Sequence, residues 1–189
     1  FFWVSRMLFE GIEFTHQAPF KDIVIHGLIR AKDGRKMSKS LGNGIDPFDM
    51  IAEYGTDSLR YFLTTGGALG LDLRFDETKL EAAWNYLNKI WNITRYVLMN
   101  LGENYTCTAI EPEKLNIASK SILTRLNHTI HMVDYNFDKY ELGEAAKELY
   151  SFVWDDFASW YVEISKVDLS SGDPINEQMT KNVLVHVLK

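Results

Sequence analysis

Five basic residues fall within ten positions, Arg30, Lys32, Arg35, Lys36 and Lys39, with Asp33 the one acid among them. That stretch has a local charge of +4 in a chain of net charge −6, so the remaining residues sum to −10. Crowding like charges costs self-repulsion, which a bound anion removes. Ser38 and Ser40 are interleaved with the lysines, and Gly34, Gly42 and Gly44 leave the backbone open to close approach. Ammonium groups, hydroxyls and backbone N–H donors together form a set suited to phosphate. The order GxxxxGK[ST] of a Walker A loop does not occur. A solvated basic loop tip is the competing reading of the same composition.

The elements that must position these cations are legible on both sides of them. Residues 1 to 11 read as a short helix ending at Gly11, and Asp22 to Arg30, "DIVIHGLIR", as a strand rich in Ile and Val. After the lysines, Asp46 and Pro47 form a cap and first-turn pair for a helix that Gly55 ends, and Thr56 can cap a second helix running to Gly66. "GGALGLDLRF" reads as a loop and an extended piece. From Asp76 the period turns helical: Leu80, Trp84, Leu87, Trp91, Leu98 and Leu101 repeat at i, i+3/i+4, as do Ile122, Leu126, Ile130 and Val133, then Leu142, Ala145, Leu149, Phe152 and Ile164. Three long amphipathic helices imply a bundle. The boundary between the α/β part and the α part is expected near residue 78.

Composition narrows the class. At 189 residues, 46% hydrophobic and 24% charged, the chain can bury a core and does not have a membrane-filling composition. Its longest apolar run, "FFWV", is far below the roughly 20 residues that span a bilayer, and no basic leader frames it. The single cysteine, Cys107, excludes an internal disulfide and a cysteine-based zinc site, which fits a reducing cytosol. The chain opens without methionine on "FFWVSRMLF" and stops inside "NVLVHVLK", from which a piece of something larger is expected.

"KMSKS" at Lys36 to Ser40 resembles the signature loop of class I aminoacyl-tRNA synthetases. "FFWVSRM", "HGLIR", "GRKMSKSLGNGIDP", "YGTDSLRYFL", "DLRF" and "LYSFVWDDFASWYVEISK" are similar, in the same order, to stretches of the valine-specific branch, and the likeness weakens only around residues 102 to 121. The resemblance implies an α/β plus α fold. Residues 1–78 would be the C-terminal part of a Rossmann-like catalytic domain with the lysine loop and a stem-contact segment at 45–78, and 79–189 a truncated antiparallel helical bundle that binds the anticodon. It also implies ATP with Mg²⁺ as substrate, valine and tRNA(Val) as partners, a cytoplasmic monomer, no membrane and no protein-bound metal. Lys39 would make the dominant contact to the departing pyrophosphate and Lys36 a supporting one, with Met37 and Ser38 shaping the loop near adenosine and Gly27 letting backbone approach it. The family's His-x-Gly-His signature does not occur in the sequence. The resemblance places it, the amino-acid pocket and the editing domain before residue 1, so this chain alone should not activate valine. An isoleucyl or leucyl enzyme is the nearest rival, and a non-catalytic RNA-binding module the rival of another kind.

RNA contact has partial support from residues alone. Between Asp134 and Glu177 there are 11 acids and three bases, faces that repel phosphate. On the first bundle helix Asn85, Lys89, Asn92 and Tyr96 are spaced 4, 3 and 4, an amide, an ammonium, an amide and a ring on one face. Stacking and edge hydrogen bonds of that kind recognise unstacked bases. A plain exposed helix face is the competing reading. His128 and His131 read as surface or packing residues, Gly66, Gly67 and Gly70 as an ordinary connection, and Trp84, Trp91, Trp154 and Trp160 as packing for the bundle.

Overall fold

In the computed structural model, which describes residues 2–189, helix α1 (Phe2–Thr15) leads into an extended run and strand β1 (Ile29–Arg30). Residue 1, where the first helix was expected to begin, lies outside the described residues. Helix α1 runs past Gly11, whose bare Cα lies against the ring of Pro19. The expected strand over 22–30 is reduced to its last two residues, because a strand needs a ladder and, among the described residues, only β2 (Leu73–Arg74) supplies one. The pair is parallel, with Ile29 opposite Leu73 and Arg30 opposite Arg74. Ile23, Val24, Ile25 and Leu28 stay exposed.

A parallel pair requires a crossover, and here it consists of the lysine loop, α2 (Pro47–Tyr54) and α3 (Thr56–Thr65). Asp46 caps α2 as its sequence suggested, accepting the Phe48 N–H at 2.9 Å. Thr56 does not act as a cap: it is already helical, and Gly55, at φ 83°, occupies the cap position. Leu59, Phe62, Leu73, Phe75, Leu80 and Ala83 form the first core, against which Met37, Ile45 and Met50 pack.

Helix α4 (Glu77–Leu101) belongs to two cores. Its Leu80 and Ala83 close the first, while Ile93 and Val97 enter a second, built with Ile122, Phe152, Phe157, Tyr161, Val183 and Leu184. Around that second core stand α5 (Ile117–Asp138), α7 (Val162–Leu169) and α8 (Pro174–Leu188), while α6 (Leu142–Ser151) packs against α5 and α3. The helix expected from Leu142 to Ile164 is α6 and α7 joined through ten residues of π-helix, Phe152–Tyr161, and the bundle gains α8 as a further helix. An aromatic ladder ties the two parts: Tyr61 to Tyr86 at 5.1 Å and Tyr86 to Tyr150 at 5.0 Å, both tilted, and Tyr150 stacked on Trp154 at 5.5 Å. Burial holds the Tyr61 and Tyr86 hydroxyls above the ordinary phenol range.

The tryptophans correct a reading of the sequence. Trp91 is 66% and Trp160 68% exposed, and Trp84 is 42% exposed. The Trp84–Trp91–Leu98 repeat of seven lies outside the core, because small Ala83 and then Tyr86, Ile93 and Val97 occupy the inward stripe. Among the described residues no helix is long and apolar enough to cross a membrane.

Candidate nucleotide-phosphate loop and RNA-facing helix

Strand β1 delivers Arg30 into a tight reversal. The Ala31 N–H donates to the Arg35 carbonyl at 3.0 Å, the Gly34 N–H to the Ala31 carbonyl at 2.8 Å, and Arg30 and Lys36 form an antiparallel bridge. The five cations are thereby drawn onto two adjacent limbs, and the fold divides them. Arg30 is paired through Nε with Asp72, whose other carboxylate oxygen accepts the Leu28 N–H at 2.8 Å. Arg35 donates through Nε to Asp33 at 2.6 Å and through its backbone N–H at 3.0 Å. The Leu28 amide and then Arg30 hold the Asp72 carboxyl below its ordinary range, and the Arg35 amide and guanidinium do the same for Asp33. Lys32 lies within the field of Asp76. Lys36 and Lys39 are exposed, and no ion pair among the described residues holds either.

The loop that presents these two lysines is folded by its own atoms. Half-buried Met37 anchors it on the first core. Ser38, extended, caps a single turn at Lys39–Leu41 by accepting the Leu41 N–H at 3.3 Å, and its hydroxyl lies 3.2 Å from that of Ser40. Gly42 ends the turn at φ 62°, a left-handed conformation that favours glycine. Asn43 then reaches back across the loop: its Oδ1 accepts the Ser38 N–H at 2.9 Å and its Nδ2 donates to the Lys36 carbonyl at 3.2 Å. Gly27 lies apart from the lysines, at a close approach of two chain segments. A Cβ there would overlap the Leu71 carbonyl, so its bare Cα is needed for that packing. His26, beside it, places Nδ1 2.8 Å from the Gly27 carbonyl.

The four residues of α4 singled out for RNA do not share one free face. Asn85 and Asn92 are exposed, but Lys89 and Tyr96 are half-buried. The Lys89 ammonium lies 5.2 Å from the centre of the Trp154 ring, and Tyr96 packs against the second core with Lys166 5.8 Å from its ring centre. Lys166 is itself held by Glu163 at 2.6 Å and 2.7 Å, which favours its charged form. The physical reason is the neighbourhood of Tyr96, which stands between Ile93 and Val97, both buried. His128 and His131 are exposed on α5.

Sequence reasoning missed Asn43, Asp72 and Lys166. Asn43 had a local signal, an amide directly after the glycine that ends a turn in "SLGN". Asp72 and Lys166 had none, since each acts on a residue at least 42 positions away.

Comparison with known proteins gives the relatives of the chain. Residues 1–76 match the family model described as tRNA synthetases class I (I, L, M and V), and residues 119–189 the one described as anticodon-binding domain of tRNA ligase. The whole chain is 54% identical to a valine–tRNA ligase of Staphylococcus saprophyticus and 55% identical to one of Staphylococcus aureus strain JH9. It spans 22% of the length of each of these relatives. Among solved structures, the agnB2 LeuRS–tRNA–LeuAMS ternary complex of Agrobacterium radiobacter K84 superposes with a TM-score of 0.70 at 20% identity, over 95% of this chain and 22% of that one. The methionyl-tRNA synthetase of Mycobacterium tuberculosis in complex with methionyl-adenylate gives 0.68 at 23% identity, over 86% of this chain and 32% of that one.

Proposed function

Because the chain belongs to the class I tRNA synthetases, we propose that it supplies the phosphate-gripping loop and the anticodon-side helices of a valine–tRNA ligase. In this reading, residues up to about 78 complete the far half of a Rossmann-like nucleotide fold and the helices after them meet tRNA(Val). The valine carboxylate attacks the α-phosphorus of ATP, the bond to the β-phosphate breaks, and valyl-adenylate and pyrophosphate result. The valyl group then passes to the terminal ribose of the tRNA. Charge builds on the pyrophosphate as it leaves. Lys39, at the start of the short turn, and Lys36, on the bridged limb, bring ammonium groups to it without first having to break an ion pair. Met37 and Ser38 fix the loop beside them.

The observation that carries the reading is the division of the cations. The fold spends acids on Arg30 and Arg35 and leaves Lys36 and Lys39 exposed and unneutralised on a loop whose backbone is already folded. Mg²⁺ belongs on the triphosphate in this scheme. Gly27, pressed on the Leu71 carbonyl, takes part as a close-packed element behind the nucleotide. On α4, Asn85 and Asn92 offer edge hydrogen bonds, with Lys89 and Tyr96 at the inner margin of the same stripe. A monomeric, cytoplasmic enzyme goes with this reading.

The test is valine-dependent ATP–pyrophosphate exchange by an enzyme of the relatives' length that carries this segment. Lys39→Ala lowers the rate by about 10²–10³, the cost of removing one preorganised contact to developing charge. Affinity for tRNA changes little. An exchange rate equal to wild type rejects the assignment.

A further inference from the structure

We propose that Asn43 is a positioning residue for adenylate formation: its side-chain amide clamps the lysine loop so that Lys36 and Lys39 meet the triphosphate in one arrangement. This inference rests on the phosphate-gripping reading of those lysines.

The clamp is a double one. Asn43 is half-buried, and its carboxamide lies between two backbone groups of the loop, the Ser38 N–H at 2.9 Å and the Lys36 carbonyl at 3.2 Å. An N–H can only donate and a carbonyl can only accept, so these partners fix which end of the amide is which. The bridge spans five residues on one arm and seven on the other, and so closes the segment that contains both exposed lysines. The other bonds closing the turn, from the Leu41 and Gly42 N–H groups, are each 3.3 Å long, just beyond the usual N–H···O range. Asn43 therefore supplies the shortest hydrogen bond inside the loop. Asp in its place keeps the acceptor for Ser38, loses the donor for Lys36 and adds an anion beside the lysines. Ala loses both arms.

A residue that acts by placing other groups should appear in the rate of the chemical step and disappear when those groups are gone. Valine-dependent ATP–pyrophosphate exchange is measured for four forms of an enzyme of the relatives' length: wild type, Asn43→Ala, Lys39→Ala and the double variant. Asn43→Ala lowers kcat by about tenfold while KM for valine stays within about twofold, since only a clamp of two hydrogen bonds is lost. In the Lys39→Ala background the same change costs less than about twofold, the non-additivity expected of residues that act as a unit. Full additivity, or an Asn43→Ala rate equal to wild type, overturns the clamp while leaving the lysine assignment intact. A Lys39→Ala rate equal to wild type overturns both. Should Asn43→Ala lower the unfolding midpoint, the near-isosteric Asn43→Asp is put through the same cycle, and additivity with Lys39→Ala there counts equally against the clamp.

Discussion

The lysine loop and helix α4 were both read from the spacing of a few polar residues, and the fold treats them in opposite ways. In the loop the residues of interest stay free. Acids from Asp33 and Asp72 take up the arginines, and the two signature lysines remain exposed. On α4 two of the four residues already have partners inside the protein, Lys89 over Trp154 and Tyr96 beneath Lys166. A loop closed within seven residues has its contacts written locally. One stripe of a 25-residue helix is assigned by helices more than 50 positions away, which local spacing does not record.

The largest effect should come from breaking the bundle while sparing the loop. Phe157 is buried in the π-helical stretch, with ring centres 6.4 Å from Phe152 and 6.2 Å from Tyr161. Phe157→Ala removes a ring from a closed core and should cost about 3–5 kcal/mol in chemical denaturation. Lys39→Ala should leave that denaturation curve in place. If the loop variant shifts it as far as the core variant does, the two regions are not separable in the way described. A smaller effect separates the two stripes of α4. Asn92→Ala, which removes an exposed amide from the stripe proposed for RNA, should weaken binding of tRNA(Val) by about 0.5–1.5 kcal/mol, the value of a hydrogen bond. Trp91→Ala, on the other exposed stripe, should leave it within about twofold of wild type. The reverse result in a filter-binding titration would put the RNA along the tryptophans.

How much was legible follows from the range of each signal. Asp46 and Pro47 announce α2 because a cap and its helix are neighbours. The loop's cations, serines and glycines were readable for the same reason, and Asn43 could have been added to them. The strand over 22–30 was misjudged because Ile and Val state a preference for a pleated surface without supplying the neighbouring strand. The tryptophans of α4 were misjudged because two apolar stripes compete there, and only the small Ala83 hints at which one meets another helix closely. The π-helical join between α6 and α7 left no trace in an i, i+4 pattern that continues on both sides of it. The likeness to synthetases reached the site's chemistry ahead of its geometry: it named Lys36 and Lys39 but was silent on which acids would occupy the other cations.

That last point sets the smallest and most specific expectation, at Asp72. Its carboxylate joins the two strands by accepting the Leu28 N–H and pairing with Arg30, and the folded protein holds it below the ordinary 3.8. A carboxyl with a lowered folded-state pKa contributes stability that is fully present above the unfolded value and is lost as pH falls through the folded one. Asp72→Asn keeps an acceptor for Leu28 and removes the charge. Its stability deficit relative to wild type should therefore be constant near neutrality, shrink below about pH 4 and shrink with added salt, because the pair is within reach of solvent. The same substitution releases Arg30, so the loop would carry one more unneutralised cation beside Lys36. If the lysines work because the neighbouring arginines are held by acids, the extra cation should raise affinity for inorganic pyrophosphate at low salt without raising kcat for exchange. No deficit at any pH from about 7 to about 3 would mean that Asp72 acts through its shape and its hydrogen bond to Leu28, both of which asparagine keeps, and that charge is not what keeps Arg30 out of the site.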